Sequence, residues 1–394
     1  MKHLLIIFFL GLILYACRKP QLEPTSVESN IQPGWNDSSS RHPKSAALYA
    51  LLDKYRRKGF PGISLLVRDA NGTWMGAAGK ADLSTGINFK PGTVSKAASI
   101  TKLMVGTMVF RLMEDSVRTG IGFRDLDRKL ITLIPEMSRI ANGNEVTLGQ
   151  CMTHQSGIPD LIEEDAFYLA VLNNPNKKWT GPELLEFVYD VPALFATGDS
   201  AVYTNTNFLL VSMAIEKLTG HSHASLLKTY VVNPVGMINT FYQPHDPLPN
   251  SVAQGYFDLY NNNTIVNVSN LVTGSGNGYG GIYSNLFDLY KFMDELFIRK
   301  TLLQPSSMAR MLTYGKQDGS NYYGYGLQKS FHDRGNDYGI GHKGRDLGFT
   351  ANAFYFTNKG VLHIFFLNYG SDAESDLREI FYEFQEELVD LTLQ

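Results

Sequence analysis

Ser99-Ile100-Thr101-Lys102, inside A-A-S-I-T-K-L-M-V-G-T-M-V-F, sets a hydroxyl and an amine three residues apart. A serine hydroxyl is a weak nucleophile until a base is held beside it. If a helix starts at Ser99, position i+3 lies on the same face and the Lys102 ammonium reaches the serine oxygen. The helix N-terminus adds partial positive charge where a tetrahedral oxyanion would form. The apolar run 103–112 reads as a buried helix that keeps the pair out of bulk water. S-x-x-K is short, and about one or two chance matches are expected in a chain of this size. The second match, Ser225-Leu226-Leu227-Lys228, reads as the exposed face of an ordinary helix. The pair at Ser99 therefore needs partners.

Two stretches offer them. Tyr203-Thr204-Asn205 opens a helical pattern, N-F-L-L-V-S-M-A-I-E-K-L-T-G. A phenol titrates near pH 10, so a tyrosine base near neutrality needs a lowered pKa, at about 1.36 kcal/mol per unit, which a neighbouring cation such as Lys102 would supply. The Asn205 amide suits a substrate carbonyl or the lysine ammonium. Another Y-x-N, Tyr260-Asn261-Asn262, sits in an evident turn. His342-Lys343-Gly344 precedes a late strand, where backbone amides face a groove and glycine allows close approach. His154 reads as a structural cap at the end of a short helix, and Cys151 as a small buried hydrophobe.

These residues have to be positioned by a sizeable fold. The 394 residues are 44% hydrophobic and 19% charged, with a formal net charge of −3, which gives no electrostatic case for nucleic acid. Residues 1–16 read as a signal peptide: a basic head, then an apolar run shorter than the about 20 residues that span a bilayer. L-Y-A-C resembles a bacterial lipobox, so Cys17 is the expected lipidation site. Residues 17–44, rich in Pro, Ser, Asn and Gln, are then a lipidated tether. The expected location is the bacterial cell envelope, anchored to a membrane and facing the periplasm or the cell surface. With Cys17 spent, Cys151 has no partner for a disulfide.

From residue 45 the period-3.6 pattern predicts a helix over Ser45–Arg57, and alternation predicts strands over 62–68 and 73–78, joined by a turn with Asn71-Gly72. Helices are expected at 101–115, 147–154, 181–189, 205–219 and 224–231. Strands return at 323–330, 350–357 and 360–367, and a long helix covers 372–391. Both ends thus supply a helix with antiparallel strands, while the middle supplies helices. The expected fold is α+β: one antiparallel sheet flanked by the N- and C-terminal helices, plus a mostly helical lobe, with the site in the groove between them.

S-I-T-K, Y-T-N and H-K-G, in that order, resemble the three motifs of the serine β-lactamase and penicillin-binding protein superfamily. The flanking segments P-G-I-S-L-L-V, V-T-L-G-Q-C-M-T-H-Q-S-G-I-P-D and G-G-I-Y-S-N-L-F-D-L-Y-K-F-M agree, and the resemblance covers residues 45–394. It is nearest to the branch with class C β-lactamases, D-Ala-D-Ala carboxypeptidases, D-aminopeptidases and esterases. The resemblance implies Ser99 as the acylated nucleophile, Lys102 as its proton partner and Tyr203 as the general base. It implies Asn205, His342, Gly344 and Arg345 for substrate binding, with the backbone N–H groups of Ser99 and Arg345 as the oxyanion hole. No metal or other cofactor is implied. His342 stands where the β-lactamases of this branch carry lysine, which counts against an efficient β-lactamase. Arg345 is larger than expected; its guanidinium either points away or grips a substrate carboxylate.

The expected activity is that of an exported serine hydrolase acting through an acyl-enzyme on a D-amino acid peptide, amide or ester, carboxypeptidase-like or esterase-like. Its expected partners are a small-molecule or peptidoglycan-derived substrate and, through the lipid, a membrane. The alternatives are a non-catalytic wall-binding lipoprotein of the same fold or a weak β-lactamase. Competing motifs fail, since G-x-S-x-G and H-E-x-x-H are absent and the G-x-G-x-x-G at 276–281 lacks a βαβ frame.

Overall fold

The computed structural model describes residues 39–319 and 321–394. The expected signal peptide, Cys17 and residues 17–38 of the expected tether lie outside them. Residues 39–44, assigned to the tether from their polarity, instead pack on the fold. His42 hydrogen-bonds Asp69 at 3.1 Å, and Ser39 Oγ accepts the Met75 N–H at 2.8 Å. Both are buried.

Helix α1 spans Ser45–Arg57; of the apolar face that the spacing marks, Leu48, Leu51, Leu52 and Tyr55 are buried and Ala47 is exposed. Strands β1 (Gly62–Asp69) and β2 (Gly72–Asp82) form the predicted hairpin, followed by a short edge strand, β3 (Ile87–Asn88). Strand β4 (Ser95–Ala98) leads into α2 (Ile100–Glu114), which is buried almost all round. Such a helix belongs to the centre of a large core. The helical lobe is built on α3 (Leu148–Met152), α4 (Asp165–Asn173) and α5 (Asn205–Thr219). Then come β5 (Phe241–Tyr242), β6 (Tyr256–Phe257), β7 (Val266–Asn267), β8 (Ile282–Ser284) and α6 (Leu286–Met293). The C-terminal part supplies β9 (Gln317–Asp318), β10 (Asn321–Tyr323), β11 (Gln328–Ser330), β12 (Gly339–Asp346), β13 (Phe349–Phe356), β14 (Val361–Leu367) and α7 (Asp376–Leu393).

The main sheet is antiparallel with nine strands, in the order β3-β2-β1-β14-β13-β12-β11-β10-β9. N- and C-terminal segments meet where β1 pairs β14, from Ile63↔Leu367 to Arg68↔Leu362. Strand alternation separates two cores. Ile63, Leu65, Val67, Phe365 and Leu367 pack against α1 and α7. Leu66, Leu362, Ile364 and Phe366 face α2, α6 and the helical lobe. This is the predicted α+β arrangement.

The differences are local. The single strand expected at 323–330 is two short strands with a turn over 324–327, because the Gly324 N–H bonds Leu327 O and the Gly326 N–H bonds Met152 O. The segment 158–180, for which no helix is expected, carries α4, whose mean hydropathy is high and which leaves Leu169 and Leu172 exposed. His342 lies within β12, not ahead of a strand. Glycines at 339, 341 and 344 obscure that strand in the sequence.

Candidate active site

The chain enters the site through a strained turn. Ala98 has φ +48°, in the left-handed region that a non-glycine residue rarely adopts. Ser99 follows with φ −66° and ψ −6° at the N-cap of α2. Thr101 Oγ1 fixes the turn by donating to Ala98 O at 2.7 Å while accepting the Ile282 N–H at 3.2 Å. Ser99 is half-buried and lines a cavity of about 370 Å³.

Lys102 is fully buried one turn below. Its Nζ lies 3.0 Å from Ser99 Oγ, 2.7 Å from Asn205 Oδ1 and 2.7 Å from Tyr279 O. An ammonium donates all three bonds. A neutral amine keeps the two carbonyl bonds, and its lone pair is then left toward Ser99, whose hydroxyl becomes the donor. Burial pushes Lys102 below the ordinary lysine range, against the pull of Asp160 and Asp346. The geometry thus suits a lysine that takes the serine proton.

Tyr203 hydrogen-bonds Ser99 through its side chain, and Lys102 Nζ sits 4.8 Å from the centre of its ring. Burial pushes the phenol above its ordinary range, and Asp160 and Asp372 add to this; the Ser99 hydrogen bond and Arg345 oppose it without prevailing. The lowering expected from Lys102 does not occur, because desolvation of the buried phenol outweighs the groups that favour its anion. Tyr203 is held by the Asp318 carboxylate on its N–H at 3.0 Å and by the His154 ring at 4.6 Å. His154 follows α3 with φ +57°. Its Nδ1 accepts the Thr204 N–H at 3.2 Å, so it braces the entry to α5 beyond the capping role expected of it.

Asn205 uses both ends of its amide inside the protein. Oδ1 receives Lys102, and Nδ2 donates to Asp160 Oδ2 at 2.9 Å. Asp160, unnoticed in the sequence reading, is buried and pushed above the usual carboxylate range by desolvation, opposed by Asn205 and Lys102. It stands in S-G-I-P-D, where no charge pattern marks it.

The β12–β13 register settles the third motif. His342↔Ala353 and Gly344↔Ala351 face the lobe, whereas Lys343↔Asn352 and Arg345↔Thr350 face α7. The His342 ring is 6.0 Å from Tyr203. Its Nδ1–H donates to Lys343 O at 2.5 Å, and burial, followed by Lys102, lowers its pKa to about 3. It is therefore a neutral group. Gly344 lies against the chain leading to Ser99: a Cβ there would stand 2.2 Å from Ala97 O. Arg345 Nη1 is bound back to Gly344 O, Ala351 O and Asn352 Oδ1, and the guanidinium lies over Phe381.

A buried ion pair, Lys96–Asp346 at 2.7 Å, ties β4 to β12 and hence the Ser99 turn to the His342 strand. Thr273 and Ser275 complete the shell of Asp346 at 2.8 and 3.1 Å. The cavity wall is otherwise mostly apolar, with Ile162, Tyr168, Leu172, Phe257 and Leu259, and an exposed carboxylate, Asp372, at its margin. Ser225 and Lys228, the other S-x-x-K, are exposed, and Lys228 pairs with Asp246.

Comparison with known proteins gives a consistent picture. The family model described as Beta-lactamase matches residues 30–386. A D-alanyl-D-alanine-carboxypeptidase/endopeptidase, AmpH, of Escherichia coli K12 is 25% identical over 259 residues, 65% of this chain and 62% of its own. A D-aminopeptidase of Gluconobacter oxydans is 26% identical over 258 residues, 64% of this chain and 45% of its own. The chain thus spans less than two thirds of the length of these curated relatives. A D-stereospecific amidohydrolase from a Streptomyces species superposes with a TM-score of 0.73 at 26% identity, covering 86% of this chain and 98% of that one. A D-amino acid amidase from Ochrobactrum anthropi, at 21% identity and a TM-score of 0.74 over 88% of this chain and 96% of its own, shares the fold.

Proposed function

Because the chain belongs to the beta-lactamase family, we propose that it is a serine hydrolase forming an acyl-enzyme at Ser99 on amides, peptides or esters of D-amino acids. The observation that carries this is the Ser99–Lys102 contact in a buried network that leaves the lysine lone pair toward the serine. In this reading neutral Lys102 takes the Ser99 proton as Oγ attacks the carbonyl. Tyr203 gives its phenolic proton to the leaving group and takes the one held by Lys102, so it ends as a phenol. The Ser99 and Arg345 backbone N–H groups receive the oxyanion, and each such donor contributes about 10²–10³ in rate. Water then releases the acid by the reverse relay.

Charge at the cavity favours an amine-bearing substrate. His342 is neutral, and Arg345, which lines the cavity, has its Nη1 bound to Gly344 O, Ala351 O and Asn352 Oδ1, so that end of its guanidinium is turned to the protein. Asp372 stands at the margin of an apolar wall, suited to an α-ammonium beside a large apolar side chain. The relatives named as a D-aminopeptidase and a D-stereospecific amidohydrolase support the same class. Export and lipid attachment at Cys17 remain part of the proposal, and labelling of Cys17 with a palmitate analogue tests them.

The direct experiment is to incubate the protein with a fluorophosphonate and with a panel of D-amino acid amides, D-Ala-D-Ala peptide, short esters and a chromogenic β-lactam, each against Ser99→Ala. An adduct on Ser99, with turnover strongest on D-amino acid amides, is expected. No adduct and no turnover would leave the non-catalytic alternative standing.

A further inference from the structure

Four buried groups surround the Lys102 amine without taking its proton. Tyr203 and Tyr279 contribute ring faces at 4.8 and 5.7 Å, and desolvation raises both phenols. His342 and His154 are pushed down by burial and then by Lys102 itself. All four are uncharged near neutrality. Among the described residues, the anions that act on Lys102 are Asp160 and Asp346. Asp346 is already bonded to Lys96, Thr273 and Ser275. Asp160 is different, because the described structure gives it no cation in direct contact. Its Oδ2 holds the Asn205 amide, and its Oδ1 receives the Ile162 N–H at 3.4 Å.

An asparagine amide can be turned either way round. Here the turn is fixed from both sides, since a carboxylate accepts only the N–H end and Lys102 bonds only the oxygen end. With the amide reversed, Nδ2 would face the lysine donors and Oδ1 would face a carboxylate.

We propose that Asp160 is a positioning residue of this site: through Asn205 it orients the acceptor that holds Lys102 against Ser99, and its charge sets the pH above which the lysine can act. The inference rests on acylation of Ser99 with Lys102 as the proton acceptor. The carboxylate favours the lysine ammonium, so removing it favours the amine. The acid limb of acylation must then move to lower pH. With the two charges separated by one amide and an effective dielectric of about 20, the shift is about one to two pH units. The limb reports the pair, because the two groups titrate together.

The test is single-turnover acylation of the full chain by a p-nitrophenyl ester across pH, comparing wild type, Asp160→Asn and Asp160→Ser. Both variants remove the charge, and a thermal melt identifies which of them folds. Expected for both is an acid limb displaced to lower pH by about one unit or more; Asp160→Asn keeps an amide oxygen that can accept from Asn205, whereas Asp160→Ser is too short to hold it and also lowers the plateau by about tenfold or more. A purely structural role would lower the amount of active protein and leave the midpoint in place. A folded variant with the wild-type midpoint overturns the proposal. Wild-type protein that forms no ester at Ser99, judged by mass spectrometry against Ser99→Ala, overturns the hydrolase reading instead.

Discussion

Gly344→Ala isolates how tightly the third motif is built against the nucleophile. The added Cβ would stand 2.2 Å from Ala97 O and 3.1 Å from Ala97 C. Carbon–oxygen contacts settle at about 3.3 Å or more, so something must move by about 1 Å. The obstacle is backbone, which no rotamer change relieves. Ala97 is fully buried, and the ion pair from neighbouring Lys96 to Asp346 ties its strand to β12. The displacement therefore passes along Ala98 to Ser99 or opens β12, and either one misplaces an oxyanion donor. A 1 Å error at a reacting group costs about 10² in rate, while overpacking costs about 1–3 kcal/mol of stability. Acylation should thus fall about a hundredfold, with urea unfolding shifted only modestly. Gly92→Ala is the control, since its nearest neighbour is Phe287 at 3.7 Å and its φ is ordinary. A Gly344→Ala protein that acylates within twofold of wild type would refute the close-approach argument.

Two further substitutions separate the roles of the remaining groups. Tyr203→Phe should slow acylation by amides about 10²–10⁴-fold, the range for a proton-transfer group, with little change in melting temperature. The loss should be smaller for p-nitrophenyl esters, whose leaving group needs no proton, and equal losses on both substrates would remove Tyr203 from the leaving-group step. Asp372→Asn should raise KM for D-amino acid amides by about two- to fivefold, as for loss of one exposed charged contact, and leave N-acetylated analogues unaffected. An equal effect on both would show that Asp372 does not read the ammonium.

The parts of the fold legible in the sequence are those where one face is buried and the other is not. Leu48, Leu51, Leu52 and Tyr55 mark α1 at both ends, and Asn71-Gly72 marks the first hairpin, because local periodicity and turn chemistry agree with the tertiary outcome. Helix α2 was legible as a continuous apolar run. Strand β12 was not, since its glycines serve close approach and dilute the alternation. Ser99 and Lys102 could be paired from spacing alone, as both stand on one turn of helix. Lys96, Asp160 and Asp346 could not. Their partners are 250, 45 and 250 residues away, and a charge in the sequence looks the same whether water or another buried group surrounds it. The direction of the Tyr203 shift failed for the same reason: spacing supplies a neighbouring cation but not the burial that keeps the phenol protonated.

Two lysines of similar burial show what that environment decides. Lys96 and Lys102 are each almost wholly excluded from solvent, and each is acted on by aspartate: Lys96 by Asp346, Lys102 by Asp160 and Asp346. Lys96 touches Asp346 directly at 2.7 Å; desolvation lowers its pKa, Asp346 more than restores it, and the net displacement is upward. Lys102 meets Asp160 only through the Asn205 amide, and there desolvation prevails and the displacement is downward. Coulomb attraction falls with distance while the penalty for burying the charge does not, so one interposed side chain is enough to reverse the sign. The direct pair fixes two strands as a permanent charge pair. The bridged pair leaves an amine that can exist beside Ser99 near neutral pH, which is the condition for a lysine to act as a base. Asn205 is the spacer that separates a structural lysine from a chemical one.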